Sequence, residues 1–363
     1  MNRRNFLTGS LLAGGAFALN KSWALSKMTE KSSTDLETKV TSRSGGKVLN
    51  AFYYRAHTYT LVPKQVKEDL RWMADVGTNL ITVAILEQDF EAAYENIAFI
   101  CSEAEKLGIG VVATPSRWAG LLAGSPKVPS IFTILNPDTW ICDKNGKPSS
   151  NTISGRISSI HHPKTYEFME QTIDKMFTLW NLKGVMWDEL KTISMDYSPM
   201  AIKRLGKNPT LMQQVEANVD FYSRLNSHIK EKFPDKTTNL FIYSNFSDDV
   251  VRKMSEVQHL DYYGCDGRAW RIEDGGTLEE AGKVLLGNQG QRFIDAAHAN
   301  HKKSLFLMEN HNMANADVML LQKRMPELLQ MDIDQLIYYY YPRNLEDPDR
   351  SMNIIKEQLL TWK

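Results

Sequence analysis

The sequence predicts an α/β fold, a single (β/α)8 (TIM) barrel, on three observations. From residue 47 onward, short β-rich apolar runs alternate with longer segments of helical period, the pattern of βα units around a parallel sheet. The apolar runs number eight, and with the helical segments between them they fill residues 47–363 without a composition break that would mark a second domain. The alternative, an open doubly wound sheet, often carries a glycine-rich phosphate turn after its first strand, and here that turn reads "RAHTYTLV".

Each element has its own signal. Strand one, "KVLNAFYYRA", is followed by a helix with Val66, Leu70 and Met73 on one face and Pro63 in its first turn. Strand two is "NLITVAIL"; its helix carries Phe90, Ala93, Tyr94, Ile97, Ile100, Cys101, Ala104 and Leu107 on one stripe and stops at Gly108. Strand three, "IGVVATPSRW", leads into a long loop over residues 119–162 and then the helix "KTYEFMEQTIDKMFTLW". A loop of that length is more than a connector, which points to a lid or a subsite wall with Trp140 as its contact. Strand four is "LKGVMWDEL", and its helix is expected to start at Asn208-Pro209, a capping residue and a proline pre-set for a first turn, and to span 208–233. Strand five, "NLFIYSNF", precedes a helix capped by Ser247. Strands six, seven and eight are "HLDYYGCD", "SLFLMEN" and "QLIYYYY". A last helix from Asp347-Pro348 carries Ile354, Ile355, Leu359 and Trp362.

Composition narrows the function. Lys+Arg and Asp+Glu both number 43, so there is no basic excess for nucleic acid, and 42% hydrophobic residues supply a substantial core. Eight Trp and 14 Tyr offer flat faces that suit sugar rings or simply fill the core. The three cysteines, Cys101, Cys142 and Cys265, are too widely spaced for a disulfide framework or metal cluster. At the N-terminus, Arg3-Arg4, then Asn5-Phe6-Leu7-Thr8 and "GSLLAGGAFAL", resemble a twin-arginine secretion signal. Residues 1–24 are therefore expected to be a signal peptide and polar residues 25–46 a flexible leader. That implies export to the periplasm or beyond, and no membrane attachment after cleavage.

In a barrel the C-terminal strand ends carry the chemistry. Those ends supply Arg55 and His57, Arg117 and Trp118, Trp187-Asp188-Glu189, Asn245, Tyr263 and Asp266, Glu309 and His311, and Tyr339 and Tyr341. Two carboxylates facing each other across a barrel mouth are what glycosidic hydrolysis needs, one to protonate the leaving oxygen and one to attack carbon or activate water.

At this point the chain resembles the clan-A glycoside hydrolases. The resemblance implies Glu189 as acid/base on strand four and Glu309 as nucleophile on strand seven. It departs from that family in having Asp188 where an Asn is usual; the added charge would raise the pKa of Glu189. "MWDE" is also similar to barrels acting on α-glucosides and α-galactosides, which would make Asp188 the nucleophile and Asp266 the acid/base. Chitinase-like enzymes are a third resemblance, with a longer acidic run than this chain has.

The strand-end residues beyond the glutamate pair and Asp188 are candidate substrate contacts: Arg55, His57, Arg117, Trp118, Trp187, Asn245, Tyr263, Asp266, His311, Tyr339 and Tyr341. Each has a bland alternative. The tryptophans, Trp270 included, can pack the wall, the histidines can be hydrogen-bonded structural residues, and strand alternation sends half the tyrosines outward. A carbohydrate substrate is expected, with no cofactor and no metal. A metal-dependent sugar isomerase or epimerase would need further Glu, Asp and His ligands, whereas strand five offers Asn245 and strand eight only tyrosines. A non-catalytic carbohydrate-binding barrel would keep the aromatics and tolerate loss of the acids.

Overall fold

Alternation of inward and outward side chains lets eight short strands bury both faces of one sheet, and the barrel closes accordingly. The structure, a computed structural model, describes residues 46–53, 61–124, 128–151, 155–276, 282–341, 345 and 347–362. The signal-like segment, nearly all of the leader, Arg55 and His57 lie outside those residues.

The strands are β1 (Val48–Tyr53), β2 (Leu80–Ile85), β3 (Gly110–Pro115), β4 (Gly184–Asp188), β5 (Thr237–Tyr243), β6 (Tyr262–Gly267), β7 (Lys303–Met308) and β8 (Gln335–Tyr339). All pair in parallel in chain order, and β1 closes on β8 with Val48 opposite Gln335 and Phe52 opposite Tyr339. The main crossover helices are α1 (Pro63–Asp75), α2 (Tyr94–Lys106), α3 (Pro163–Leu179), α4 (Leu211–Lys232), α5 (Asp248–Met254), α6 (Gly287–Ala299), α7 (Asn315–Leu329) and α8 (Pro348–Leu359).

Two helix expectations change. The segment after β2 is two helices, Asp89–Ala92 and α2, because Ala93 leaves the helical region at φ −131°, ψ 17°. The helix after β4 starts past Asn208-Pro209. Thr210 and Gln213 form a reciprocal capping box there, 3.2 Å and 2.8 Å, which satisfies two N-terminal amides at once. A further helix, Pro199–Leu205, precedes it and ends at Gly206 with φ 91°.

Phe52, Ala84, Val112, Met186, Phe241, Leu305, Leu307, Ile337 and Tyr339 fill the barrel interior. Outward residues such as Val185, Trp187, Leu240, Tyr263 and Phe306 pack against the helices in the larger outer core. Burial of a side chain of this size contributes about 1.5–3 kcal/mol. Interstrand fit is close: a Cβ on Gly264 would lie 1.5 Å from the Leu305 carbonyl oxygen.

The long excursion after β3 holds the short helix Ile131–Leu135 and a two-stranded ribbon, Ser150–Asn151 against Gly155–Arg156. Just past β2, Glu87 anchors it by accepting from Ala119 N (3.0 Å), Ser130 Oγ (2.6 Å) and Phe132 N (2.8 Å). Trp140 packs within the excursion, donating to Thr133 O at 2.7 Å under the Arg156 guanidinium. Among the described residues no helix is long and apolar enough to cross a membrane, and the three cysteines are free.

Candidate active site

Strand parity decides which side chains reach the mouth. In β4, Met186 belongs to the interior and Val185 and Trp187 to the outer core, so Asp188 faces in. The same alternation would turn Glu189 outward. Instead Glu189 has a left-handed backbone, φ 40°, and its carboxylate meets groups from β5, β6 and β7. Such a conformation costs a non-glycine residue of order 1–2 kcal/mol. Arg117, Asn312 and Tyr341, just past β3, β7 and β8, are left-handed too, while His259 and His301 adopt the same conformation ahead of β6 and β7 at the opposite rim.

One oxygen each from Glu189, Asp266 and Glu309 lies within 4.8 Å of the others. The Lys283 ammonium sits among them, 3.0 Å from Asp266 Oδ2, 3.2 Å from Glu189 Oε1 and 3.7 Å from Glu309 Oε1, and 3.7 Å from the centre of the Tyr243 ring. Glu189 Oε2 accepts from Lys191 Nζ at 2.8 Å and from Tyr243 Oη at 2.8 Å; the Tyr243 hydroxyl in turn accepts from Lys191. Arg268 donates to the carbonyls of Glu309 (2.5 Å) and His311 (2.6 Å), and its Nε is 3.7 Å from the Glu309 carboxylate. Exposure grades the acids: the side chains of Glu189 and Glu309 are 16% and 10% exposed, and that of Asp266 is fully buried.

The charge pattern reverses one expectation. Burial would raise Glu189, but the ammonium groups of Lys191 and Lys283 and hydrogen bonds from Asp266 and Lys191 hold it well below the usual carboxylate range. Asp188 is the neighbour that shifts up, to about 7, through burial and then the charge of Glu189. Asp266 is pushed well up, chiefly by burial and despite Lys283. Burial, with Glu189 next in weight, also keeps the Tyr243 phenol protonated.

The remaining candidates divide. His311 stands edge-on to Tyr339 with ring centroids 4.5 Å apart, and Tyr339 stacks on Phe52 at 5.3 Å, so both line the interior near Glu309. Asn310 clamps β7 to β8 by bonding both backbone polar groups of Tyr339, at 2.9 and 2.7 Å. Arg117 is buried near Asp188.

Five expected contacts lie elsewhere. Trp118 is fully buried, its indole donating to Ile85 O at 2.8 Å. Trp187 faces α4 and donates to Asn226 Oδ1 at 2.9 Å. Tyr263 faces the helical layer and donates to Val251 O at 2.8 Å. Tyr341 turns to α8, where its hydroxyl meets Asp349 at 2.6 Å. Asn245 is exposed on a separate cleft of about 700 Å³ shared with α6. Trp270 is also fully buried.

Sequence reasoning missed Tyr243, Lys191, Lys283 and Arg268. Tyr243 was within reach, since it is two residues beyond inward-facing Phe241. Lys283 lies in a loop, where no period marks it.

The chain matches no protein-family model and no curated protein sequence. Its fold recurs in solved structures. It is similar to a β-galactosidase from the Antarctic haloarchaeon Halorubrum lacusprofundi at TM-score 0.58 and 12% identity, over 86% of this chain and 57% of that one. It is similar to the catalytic domain of a β-amylase from Paenibacillus polymyxa at TM-score 0.55 and 11% identity, covering 87% of this chain and 99% of that domain. An endo-1,4-β-mannanase from Rhizomucor miehei aligns at TM-score 0.52 and 11% identity, over 86% and 94% of the two chains. At such identities the likeness establishes the fold: this chain is a (β/α)8 barrel of the architecture those enzymes share.

Proposed function

We propose that the protein is a glycoside hydrolase working by double displacement, with Glu189 and Glu309 as its reacting pair. One observation carries this reading: the two carboxylates, from opposite sides of the mouth, bring oxygens within 4.8 Å of each other. Oxygens that close let both acids act on one glycosidic bond, and retaining enzymes are the ones that hold their carboxyl groups nearer, about 5–5.5 Å apart against roughly 6.5–9.5 Å in inverting ones. The solved glycosidases of the same fold are consistent with it.

The electrostatics support the reverse of the roles that the clan-A resemblance implies. Glu189 is held ionised by two ammonium groups and a phenol, which suits a nucleophile. Glu309 then donates the proton. In the first step a Glu189 oxygen bonds to the anomeric carbon while the glycosidic C–O bond breaks, and Glu309 protonates the leaving oxygen. In the second, Glu309 takes a proton from water, the water oxygen attacks the same carbon, and the Glu189 ester is released. The pairing of Asp188 with Asp266 is less supported, because Asp266 is fully buried beneath Lys283 and has no face for a substrate. Export through the twin-arginine-like N-terminus accords with an enzyme that meets its glycoside outside the cytoplasm.

Azide rescue tests the roles. In a Glu189→Gly variant the azide should replace the nucleophile and give a glycosyl azide of inverted configuration. In Glu309→Gly it should give one of retained configuration; the opposite pattern would restore the clan-A assignment. A metal-dependent isomerase would lose its activity in EDTA, and this enzyme should keep it.

A further inference from the structure

Lys283 is the most enclosed cation of the site, with a side chain 3% exposed. Three carboxylates whose oxygens lie within 4.8 Å of one another repel strongly unless a cation or protons intervene. Hard divalent ions are commonly held by carboxylate clusters of this kind. Here an ammonium fills the space, donating to Asp266 at 3.0 Å and to Glu189 at 3.2 Å and pairing its charge with Glu309 at 3.7 Å.

The lysine is also built in. Its carbonyl accepts from Arg268 N at 2.9 Å, and Leu285 N donates to Arg268 O at 2.9 Å, so residues 283–285 run alongside the end of β6. Arg268 in turn holds the Glu309 and His311 carbonyls. One residue thus ties the backbone of the cation to the backbone of an acid it neutralises.

We infer that Lys283 is the resident cation of this site, an ammonium in the place a divalent metal would take among Glu189, Asp266 and Glu309, and that it sets the spacing of the two glutamates. The first half stands without the glycosidase reading. The second half rests on it, with Lys283 acting as a positioning residue.

The test compares Mn2+ binding, by titration calorimetry and the loss of free-ion EPR signal, in the full chain and its Lys283→Ala variant. The wild type should bind no Mn2+ at the mouth. Lys283→Ala should bind one equivalent, gain melting temperature from it, and lose that binding when Glu309→Gln is added. Ethylammonium should restore part of the glycosidase activity lost in Lys283→Ala, a rescue that a merely structural lysine would not show. A folded Lys283→Ala that neither binds Mn2+ nor responds to ethylammonium would overturn the inference, as would a wild type that binds Mn2+ equally well. Where Lys283→Ala alone does not fold, the charge-compensated pair Lys283→Met with Glu309→Gln should recover soluble protein, and failure to do so would also overturn it. Mn2+ capture without hydrolysis of any glycoside would sink the glycosidase reading and leave the cation inference standing.

Discussion

Glu189 carries the densest set of contacts in the site, and its neighbours make separate demands. The Tyr243 hydroxyl donates to it at 2.8 Å in a half-buried setting, where a hydrogen bond to a charged group contributes about 1.5–3 kcal/mol. Tyr243→Phe should therefore lower kcat/KM about 10–100-fold while leaving the fold intact, measured by steady-state kinetics alongside circular dichroism. Asp188 makes a pH prediction. In the fold it keeps its proton to about 7, whereas an unfolded Asp ionises near 3.8, so the folded state binds the extra proton in between. Stability on this account falls as pH rises through that window, by up to ~4 kcal/mol for the group alone. Asp188→Asn should flatten the fall in urea-unfolding free energy between mildly acidic and neutral pH. A variant that declines as steeply as the wild type would contradict it.

At the scale of elements, the barrel positions its mouth by parity and the excursion after β3 by one buried acid. Glu87 accepts three hydrogen bonds from that excursion, and burial raises its pKa despite them. Glu87→Ala should cost about 1–3 kcal/mol for each donor left without an acceptor, and should open residues 119–160 to limited proteolysis ahead of the barrel. Equal cleavage in variant and wild type would refute this anchoring. Parity also explains two of the misassigned residues. Trp187 immediately precedes inward-facing Asp188, and Tyr263 is three residues before inward-facing Asp266, so a regular strand turns both toward the helices. Reading strand ends as a group located the acids but did not separate the two faces.

At the scale of the molecule, the order of strands and helices was legible because the periods of 2 and 3.6 residues are written into the apolar pattern. The acids Asp188, Glu189, Asp266 and Glu309 were legible because a barrel gathers strand C-termini on one rim. The cations were not. Lys283 reaches the centre from a loop, and the left-handed backbone that turns Glu189 inward follows no residue-type rule. A site whose carboxylates already hold ammonium groups should also keep full activity in EDTA, which an activity assay with and without chelator checks. The most direct test of the account is release of reducing sugar from a panel of aryl glycosides and oligosaccharides by the wild type, Glu189→Gln and Glu309→Gln. Hydrolysis of at least one substrate by the wild type, with a loss of ~10⁴-fold or more in each variant, is the expected result; undiminished release by either variant would contradict the pairing of Glu189 with Glu309.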